Sequence, residues 1–519
     1  MCGSSDAAMA GDAPPSAADD QQAAAAAGAG ASSKRAHEAG ASAADAGSPT
    51  KRRAATPPPQ ALTEPQPELF MYDVHVEVYK TPQSTADDAA VEAQVLALMQ
   101  RRALSYVEGM RVEADAEFEP NDDVETINVT EIESAQHGYD GEPVPFARAS
   151  HYVHLTRLCD DGATTSDLEM GEEGGEVQSE TPACQQYTLP AREFHGIWES
   201  LVFDSDIKDT MLRYAQTAML FSDRGVDTNL IGFNRVILLH GPPGTGKTSM
   251  CKALAQKLTV RLSHRYTSGM LIEVNAHSLF SRWFSESGKM VLKLFEGIRE
   301  LAESDPDMLC SVVIDEVESL TASRTAAASG NEPSDAVRVV NALLTQLDQL
   351  KRFPNVLVLT TSNVTAAIDT AFTDRADLKV YVGNPSVCGR YEILRSAVAE
   401  LARAELLSLP NDLELLRGHA CEQLQHAEAE KANAVAEVEA EAQAEPVELP
   451  LPERASLLVW KAALACEGLS GRMMRKLPFL AHTYCGHSTP PFSKYIACLG
   501  AAAAREIECK ADMASAEHN

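Results

Sequence analysis

The chain has 519 residues with 75 acidic and 44 basic side chains, which gives a formal net charge of −31. This length exceeds one compact core, and the acidic balance argues against a protein built mainly to bind the phosphates of nucleic acid. No apolar run reaches the roughly 18 residues that cross a bilayer, and the eleven cysteines contain no Cys-x-x-Cys pair, so we expect an intracellular protein of several domains without a membrane partner.

Residues 1–66 consist almost entirely of Ala, Ser, Pro, Gly and charged residues. Such a segment cannot bury enough apolar surface to offset the entropy lost on ordering, so it predicts a disordered tail. The basic clusters around Lys34 and Lys51 are either a two-part nuclear import signal or solvated charge.

The pattern changes over residues 67–156, for which we predict a small α+β domain. The stretch MYDVHVEVY alternates apolar and polar residues as a half-buried strand does, and AAVEAQVLALMQRRAL repeats apolar residues at helical spacing.

Residues 157–188 follow as a predicted acidic linker, since DDGATTSDLEMGEEGGEVQSET holds eight carboxylates and no basic residue. The ligand spacing of a calcium loop is missing there, which favours a flexible connector.

Residues 189–384 alternate apolar runs with helical stretches, which indicates an α/β domain. The runs VILLH, LIEVNA, LCSVVID and NVLVLTT show little alternation, as in strands covered on both faces, so they predict a parallel sheet with helices on each side. Residues 385–519 have a helical pattern. Within them an Ala/Glu-rich insert at about 421–448 predicts either a solvated helix or disorder.

The stretch LLHGPPGTGKTS has the spacing G-x-x-x-x-G-K-T of a phosphate-binding loop. Its glycines permit a turn whose backbone N–H groups point at phosphate oxygens, Lys247 reaches the terminal phosphates, and Thr248 offers a hydroxyl to Mg²⁺. A glycine-rich turn without a ligand is the alternative. The predicted ATP-binding residues of this loop are Gly241, Pro242, Pro243, Gly244, Thr245, Gly246, Lys247, Thr248 and Ser249.

Two later apolar runs end in polar residues: SVVIDE in Asp315 and Glu316, and VLVLTTSN in Asn363. Ligands bind at the carboxyl ends of strands in open α/β sheets. We therefore expect Asp315 to hold Mg²⁺ through water, Glu316 to deprotonate the attacking water, and Asn363 to position it. Acids that only cap a strand and an asparagine that only forms a turn are the alternatives.

Two arginines follow, Arg375 in IDTAFTDRAD and Arg472 in GLSGRMMRK. A cation near a triphosphate stabilises charge that develops on the γ-oxygens, and it can come from the same subunit or a neighbour. For each arginine, an ordinary surface side chain is the alternative.

Together these elements resemble the AAA+ ATPases over about residues 189–510. The stretches NRVILLHGPPGTGKTSMCKALAQKL, LIEVNAHSLFSRWFSESGKM, VVIDEVESLTASR and EGLSGRMMRKLPFLAH are similar to the pachytene checkpoint protein 2 family, also called thyroid receptor-interacting ATPase. The resemblance implies an α/β P-loop ATPase domain with a parallel five-stranded sheet over 189–384 and a helical lid over 385–519. It also implies that the N-terminal domain binds clients and an adaptor.

The same resemblance implies a homo-hexameric ring that uses ATP and Mg²⁺ to partly unfold HORMA-domain proteins. These clients are Mad2-like checkpoint proteins, delivered by a HORMA-fold adaptor, and Hop1-like meiotic axis proteins, in the nucleus and the cytoplasm. In such a ring Arg375 would act on the neighbour's nucleotide, and Arg472 resembles the lid arginine called sensor 2. Trp283 and Phe284 match the pore loop that grips a threaded polypeptide, with a buried core tryptophan as the alternative, and residues 325–333 match a second pore loop.

Two other functions compete with remodelling. One is a chromosomal scaffold gated by nucleotide, in which ATP turnover is incidental. The other is a DNA motor, which the acidic charge balance and the lack of a basic recognition element disfavour.

Overall fold

The computed structural model describes residues 71–102, 105–115, 117–118, 122–134, 142–166, 184–204, 206–276, 287–319, 335–364, 368, 370–410, 413–426 and 450–517. The strands are β1 (Tyr72–Lys80), β2 (Ser105–Tyr106), β3 (Arg111–Val112), β4 (Val124–Ser134), β5 (Val144–Pro145), β6 (Ala149–Arg157), β7 (Thr164–Ser166), β8 (Cys184–Leu189), β9 (Val236–His240), β10 (Ser268–Asn275), β11 (Met308–Asp315), β12 (Val356–Ser362) and β13 (Leu378–Tyr381). The α-helices are α1 (Asp88–Arg101), α2 (Ile197–Ser200), α3 (Ile207–Asp223), α4 (Lys247–Arg261), α5 (Ser287–Ser304), α6 (Asp335–Leu350), α7 (Thr370–Thr373), α8 (Val387–Arg403), α9 (Leu451–Ala465), α10 (Gly471–Cys485) and α11 (Phe492–Glu517).

The N-terminal domain is a four-stranded sheet packed against α1. Its strand order is β3-β4-β1-β6, and β1 runs antiparallel to β4 and parallel to β6. Val74, Val76 and Val78 of β1 are fully buried in the domain core. The alternation in β1 predicts a solvated polar face, yet Glu77 and Tyr79 are buried too. The reason is that α4 of the central domain lies against that face, where Lys257 contacts Glu77.

The central domain is built on a seven-stranded sheet of order β13-β9-β12-β11-β10-β8-β7. The first five strands are mutually parallel, which confirms the predicted five-stranded parallel sheet. Strand β8 pairs antiparallel with β10, and β7 pairs antiparallel with β8. The predicted acidic linker 157–188 is therefore too long, because residues 164–166 and 184–188 belong to this sheet.

Both faces of the parallel sheet are covered by helices, as the apolar runs predict. On one face α5 and α6 contribute Phe295 and Leu347 to a buried cluster. On the other face α3 and α4 contribute Met211 and Leu254 to a second cluster. Because side chains alternate along a strand, adjacent residues of β11 enter different clusters.

The C-terminal domain consists of α8 to α11 around a third buried cluster that includes Tyr391, Trp460 and Tyr495. Cys421 is fully buried in the same cluster, so the lid core extends into the start of the predicted insert 421–448. The predicted tail 1–66 and residues 427–448 of the insert lie outside the described residues. No helix in the described ranges is both long and apolar enough to span a membrane.

Arg235 anchors the start of β9, the strand that leads into the glycine-rich loop. The side chain is 3% exposed, and its guanidinium donates hydrogen bonds to the carbonyls of Val356 (3.1 Å), Lys351 (2.6 Å) and Phe353 (2.9 Å). A fourth bond goes to the Ser222 hydroxyl. The residue thus joins β9 to the α6–β12 connection and to α3.

We expect Arg235→Met to lower the free energy of unfolding by roughly 3 kcal/mol, because it leaves buried carbonyls without donors. Urea unfolding followed by circular dichroism measures this change. The control is Arg224→Met at an exposed site, which should stay within about 0.5 kcal/mol of the wild type. Equal stabilities for Arg235→Met and the wild type would contradict the anchoring role.

Candidate active site

The carboxyl ends of β9, β12 and β11 meet at one edge of the parallel sheet, where a cleft of about 410 Å³ opens. Residues from the central domain and from the C-terminal helical domain form its walls. The lining residues are Leu201, Val202, Pro243, Gly244, Thr245, Gly246, Lys247, Thr248, Ser249, Asp315, Glu316, Asn363, Ile393, Gly471, Arg472 and Arg475.

The loop after β9 requires glycine at two positions for different reasons. A Cβ on Gly241 would lie 2.2 Å from the carbonyl oxygen of Val382, so no side chain fits there. Gly246 has a φ of 96° and directly precedes the first residue of α4, a left-handed conformation that favours glycine. The resulting turn places the N-terminus of α4 at the cleft, where backbone N–H groups and the helix dipole favour phosphate.

Lys247 is the first residue of α4 and is only 4% exposed. Its Nζ donates to the carbonyls of Gly241 at 2.9 Å and Pro242 at 2.8 Å. Burial lowers the pKa of Lys247, and the carboxylates of Glu318 and Asp315 oppose that shift. Because the two bonded acceptors are neutral, they leave most of the ammonium charge available to an anionic phosphate. Gly241 and Pro242 themselves are not among the lining residues.

Thr248 and Asp315 are a suitable oxygen pair for Mg²⁺. The Thr248 hydroxyl donates to Asp315 Oδ1 at 3.0 Å, and the Thr361 hydroxyl contacts the same carboxylate oxygen. Magnesium prefers oxygen ligands of this kind, a hydroxyl and one carboxylate beside substrate phosphates. The donor set therefore fits the ion.

Glu316 and Asn363 reach the same cleft from different strands. Glu316 follows β11 with a φ of 60°, a rare conformation for a residue with a side chain. The backbone N–H of Asn363 donates to Glu318 Oε1 at 3.1 Å, which ties the end of β12 to the turn after β11. Glu318 and Thr361 are not among the predicted site residues, although each is a polar residue near the end of an apolar strand.

The C-terminal helical domain closes one side of the cleft. The backbone N–H of Arg472 donates to the carbonyl of Gly244 at 2.9 Å, so the start of α10 rests on the glycine-rich loop. Arg475, one turn later, also lines the cleft and donates to the Ser200 carbonyl at 2.7 Å. Arg475 is not among the predicted site residues, although it follows Arg472 at helical spacing.

Three apolar side chains, Leu201, Val202 and Ile393, form part of the cleft wall. Small-molecule sites commonly combine such a wall with a few polar groups, and this surface suits the face of a nucleobase. Apolar residues of this kind look like ordinary core in a sequence, so no local signal identified them.

Arg375 is not among the residues that line this cleft. Its guanidinium binds Asp348 through Nε at 3.1 Å and Nη2 at 2.8 Å. Burial alone would raise the pKa of Asp348, but hydrogen bonds from Arg375 and Lys351 outweigh it and lower that pKa. The predicted pore residues Trp283 and Phe284, and residues 325–333, lie outside the described residues.

A phosphate loop at a helix N-terminus, an Asp-Glu pair after a buried strand and a helical domain in contact with the loop define an ATPase of the AAA+ class. Three family profiles match the chain in agreement with this class. They are the "ATPase family associated with various cellular activities" over 237–384, the "TRIP13-like, AAA+ ATPase lid C-terminal domain" over 386–507, and the "TRIP13 N-terminal domain" over 70–161.

The chain belongs to the pachytene checkpoint protein 2 family. It is 45% identical to the pachytene checkpoint protein 2 homolog of Gallus gallus over 79% of this chain and 87% of that protein. The homolog of Homo sapiens is 43% identical over 85% of this chain and 95% of its own length. The solved structure of C. elegans PCH-2 is 30% identical, has a TM-score of 0.63 and covers 84% of this chain and 99% of its own. The protein is thus a nucleotide-binding ATPase, as the sequence predicts.

We expect Glu316→Gln to bind ATP with unchanged affinity but to hydrolyse it at least about 100-fold more slowly, because the amide cannot accept the proton of the attacking water. Phosphate release and binding of a fluorescent ATP analogue measure the two effects. Glu303→Gln, at an exposed site on α5, is the matched control. Full turnover by Glu316→Gln would remove this residue from the mechanism.

Proposed function

We propose that this ATPase remodels HORMA-domain proteins of the Mad2-like checkpoint and Hop1-like meiotic types, as a homo-hexameric ring that threads and partly unfolds its client. The observation that carries the proposal is the backbone hydrogen bond from Arg472 to Gly244. Since it joins the lid to the phosphate loop, a change at the phosphates shifts one domain against the other. Such a motion is what a mechanical ATPase needs, and membership of the family indicates the client class.

Within the cleft, the phosphate-loop amides and Lys247 bind the phosphates of ATP. Thr248 and Asp315 would hold Mg²⁺, which when bound neutralises charge on the β- and γ-phosphates. Glu316 accepts the proton of the attacking water while Asn363 positions that water. The water oxygen forms a bond to the γ-phosphorus while the bond between the γ-phosphorus and the bridging oxygen of ADP breaks. The products are ADP and phosphate.

The proposed ring would join subunits head to tail, an arrangement that closes on itself and brings each Arg375 towards a neighbour's cleft. Two observations support this role. Arg375 lies away from the cleft of its own subunit, and Asp348 holds its guanidinium in a fixed orientation while 27% of the side chain stays exposed. A cation supplied in this way accelerates phosphoryl transfer by stabilising charge in the transition state.

The N-terminal domain would bind the client together with a HORMA-fold adaptor, and the aromatic pair Trp283 and Phe284 would grip the threaded segment. Aromatic faces hold varied side chains without sequence demands, which suits translocation. Such work would take place in the nucleus at chromosomes and in the cytoplasm, in meiosis and in the spindle assembly checkpoint.

Mixing two inactive variants tests the shared site. Arg375→Ala alone and Glu316→Gln alone should each lose at least about 100-fold in ATPase activity. A mixture should regain activity, because a cleft with Glu316 from one subunit can then receive Arg375 from its neighbour. The control mixes Arg375→Ala with the double variant R375A/E316Q, in which no subunit supplies the arginine. Without recovery in the first mixture, the arginine does not act between subunits.

A conversion assay tests the reaction and its client class together. It contains the purified protein, ATP, a closed Mad2-like protein and a HORMA-fold adaptor, and it measures appearance of the open form. We expect Trp283→Ala to hydrolyse ATP without converting the client, and Trp283→Phe to keep part of the activity because an aromatic face remains. Conversion by Trp283→Ala at the wild-type rate would exclude threading by this loop. Conversion by Glu316→Gln would favour the scaffold function instead.

A further inference from the structure

We propose that Glu77 and Glu131 of the N-terminal domain are positioning residues for ATP hydrolysis, because they fix the far end of the helix whose first turn holds the triphosphate. That helix is α4, which begins at Lys247 and ends at Arg261. Its last two turns contact the N-terminal sheet and not solvent. The N-terminal domain thereby becomes part of the support of the phosphate loop.

Two buried ion pairs join the domains at this place. Lys257 Nζ lies 2.5 Å from Glu77 Oε1, and the two side chains are 3% and 2% exposed. Arg261 contacts Glu131 with side chains that are 1% and 10% exposed. The indole N–H of Trp198 donates to the other oxygen of Glu131 at 3.0 Å. Both carboxylates come from β-strands of the N-terminal domain, and both cations come from α4.

The charges in these pairs depend on each other. Burial disfavours the carboxylate of Glu77, but the ammonium of Lys257 outweighs it and lowers the pKa of Glu77. Burial likewise disfavours the ammonium, yet Glu77, Glu131 and Glu199 raise the pKa of Lys257. Burial raises the pKa of Glu131 to about 7, although Lys257 opposes this shift, and burial lowers the pKa of Arg261 to about 9. Removal of Glu77 therefore takes from Lys257 its nearest counter-charge, and removal of Glu131 takes from Arg261 the carboxylate that it contacts.

Helix α4 is well suited to transmit a displacement. Lys257 and Arg261 follow Lys247 by ten and fourteen residues, or about 15 and 21 Å along a helix that rises about 1.5 Å per residue. Twelve residues of α4 are buried, so packing restrains the helix from its first turn to its last. A shift at its far end reaches the phosphate loop, and a misplacement of about 1 Å at a reacting group can cost about 100-fold in rate.

The same two domains are also joined by exposed ion pairs of Arg192. These pairs provide a control, because they hold the domains together without contacting α4. Arg192 contacts Glu125 of β4 at 3.0 Å and Asp160 at 2.5 Å, and its side chain is 41% exposed. Exposed pairs contribute little, and these do not involve α4. Glu125→Gln is therefore the matched control for the two buried carboxylates.

The first test measures kcat and KM for ATP in the full chain, at a temperature where circular dichroism shows every variant folded. We expect Glu77→Gln and Glu131→Gln to lower kcat by at least about tenfold, and Glu125→Gln to leave it unchanged. The conservative variant Glu77→Asp should lose less activity than Glu77→Gln, because it keeps a carboxylate beside Lys257. Wild-type kcat and KM in both single variants, with only a lower thermal midpoint, would overturn the proposal.

The second test uses the unaltered protein, so it does not depend on whether a variant folds. Coupling between two sites is reciprocal, so adding ADP with Mg²⁺ should slow amide hydrogen exchange in β1 and β4 of the N-terminal domain. The short strand β3, which pairs with β4 but makes no ion pair with α4, is the internal reference. Identical exchange in β1 and β4 with and without ADP would show that α4 does not couple the nucleotide cleft to the N-terminal sheet.

Discussion

Helix α4 carries the phosphate loop at its first turn and two buried ion pairs at its last two turns. It begins at the cleft because Gly246 adopts a left-handed conformation that turns the chain out of β9. Its apolar residues pack on the sheet, among them Leu254 and Leu258, and each such burial stabilises the fold by roughly 2 kcal/mol. The nucleotide site, the central sheet and the N-terminal domain therefore all depend on the placement of one buried helix.

One carboxylate and one backbone hydrogen bond join the elements that form the cleft. Asp315 accepts hydrogen bonds from Thr248 and Thr361, so α4, β11 and β12 converge on one side chain. The bond between Arg472 and Gly244 then ties the lid to the same loop. Because the nucleotide site is shared between two domains, we propose that binding and hydrolysis of ATP change their relative position.

Much of the fold was predictable because its signals are local. The apolar run VILLH is β9 with the predicted bounds, and the parallel sheet follows from four such runs. The linker was less predictable: residues 184–188 form a strand because they pair with β10, more than 80 positions away. Likewise, Cys421 belongs to the lid core although Glu422 and Gln423 directly after it are polar. Pairing and packing between distant segments produce no local pattern of apolar and polar residues, so the sequence does not predict them.

The sequence by itself determined the class of site, because a phosphate loop needs glycines, a lysine and a hydroxyl at fixed spacing, and that spacing is visible in one dimension. The tertiary structure alone decided what surrounds the loop: the lid contact, the apolar wall at Ile393, and the burial of Glu77 against Lys257. Glu77 and Lys257 lie 180 positions apart in the sequence. A charged residue on an alternating strand predicts solvent exposure, and only the fold shows that an opposite charge from another domain covers it.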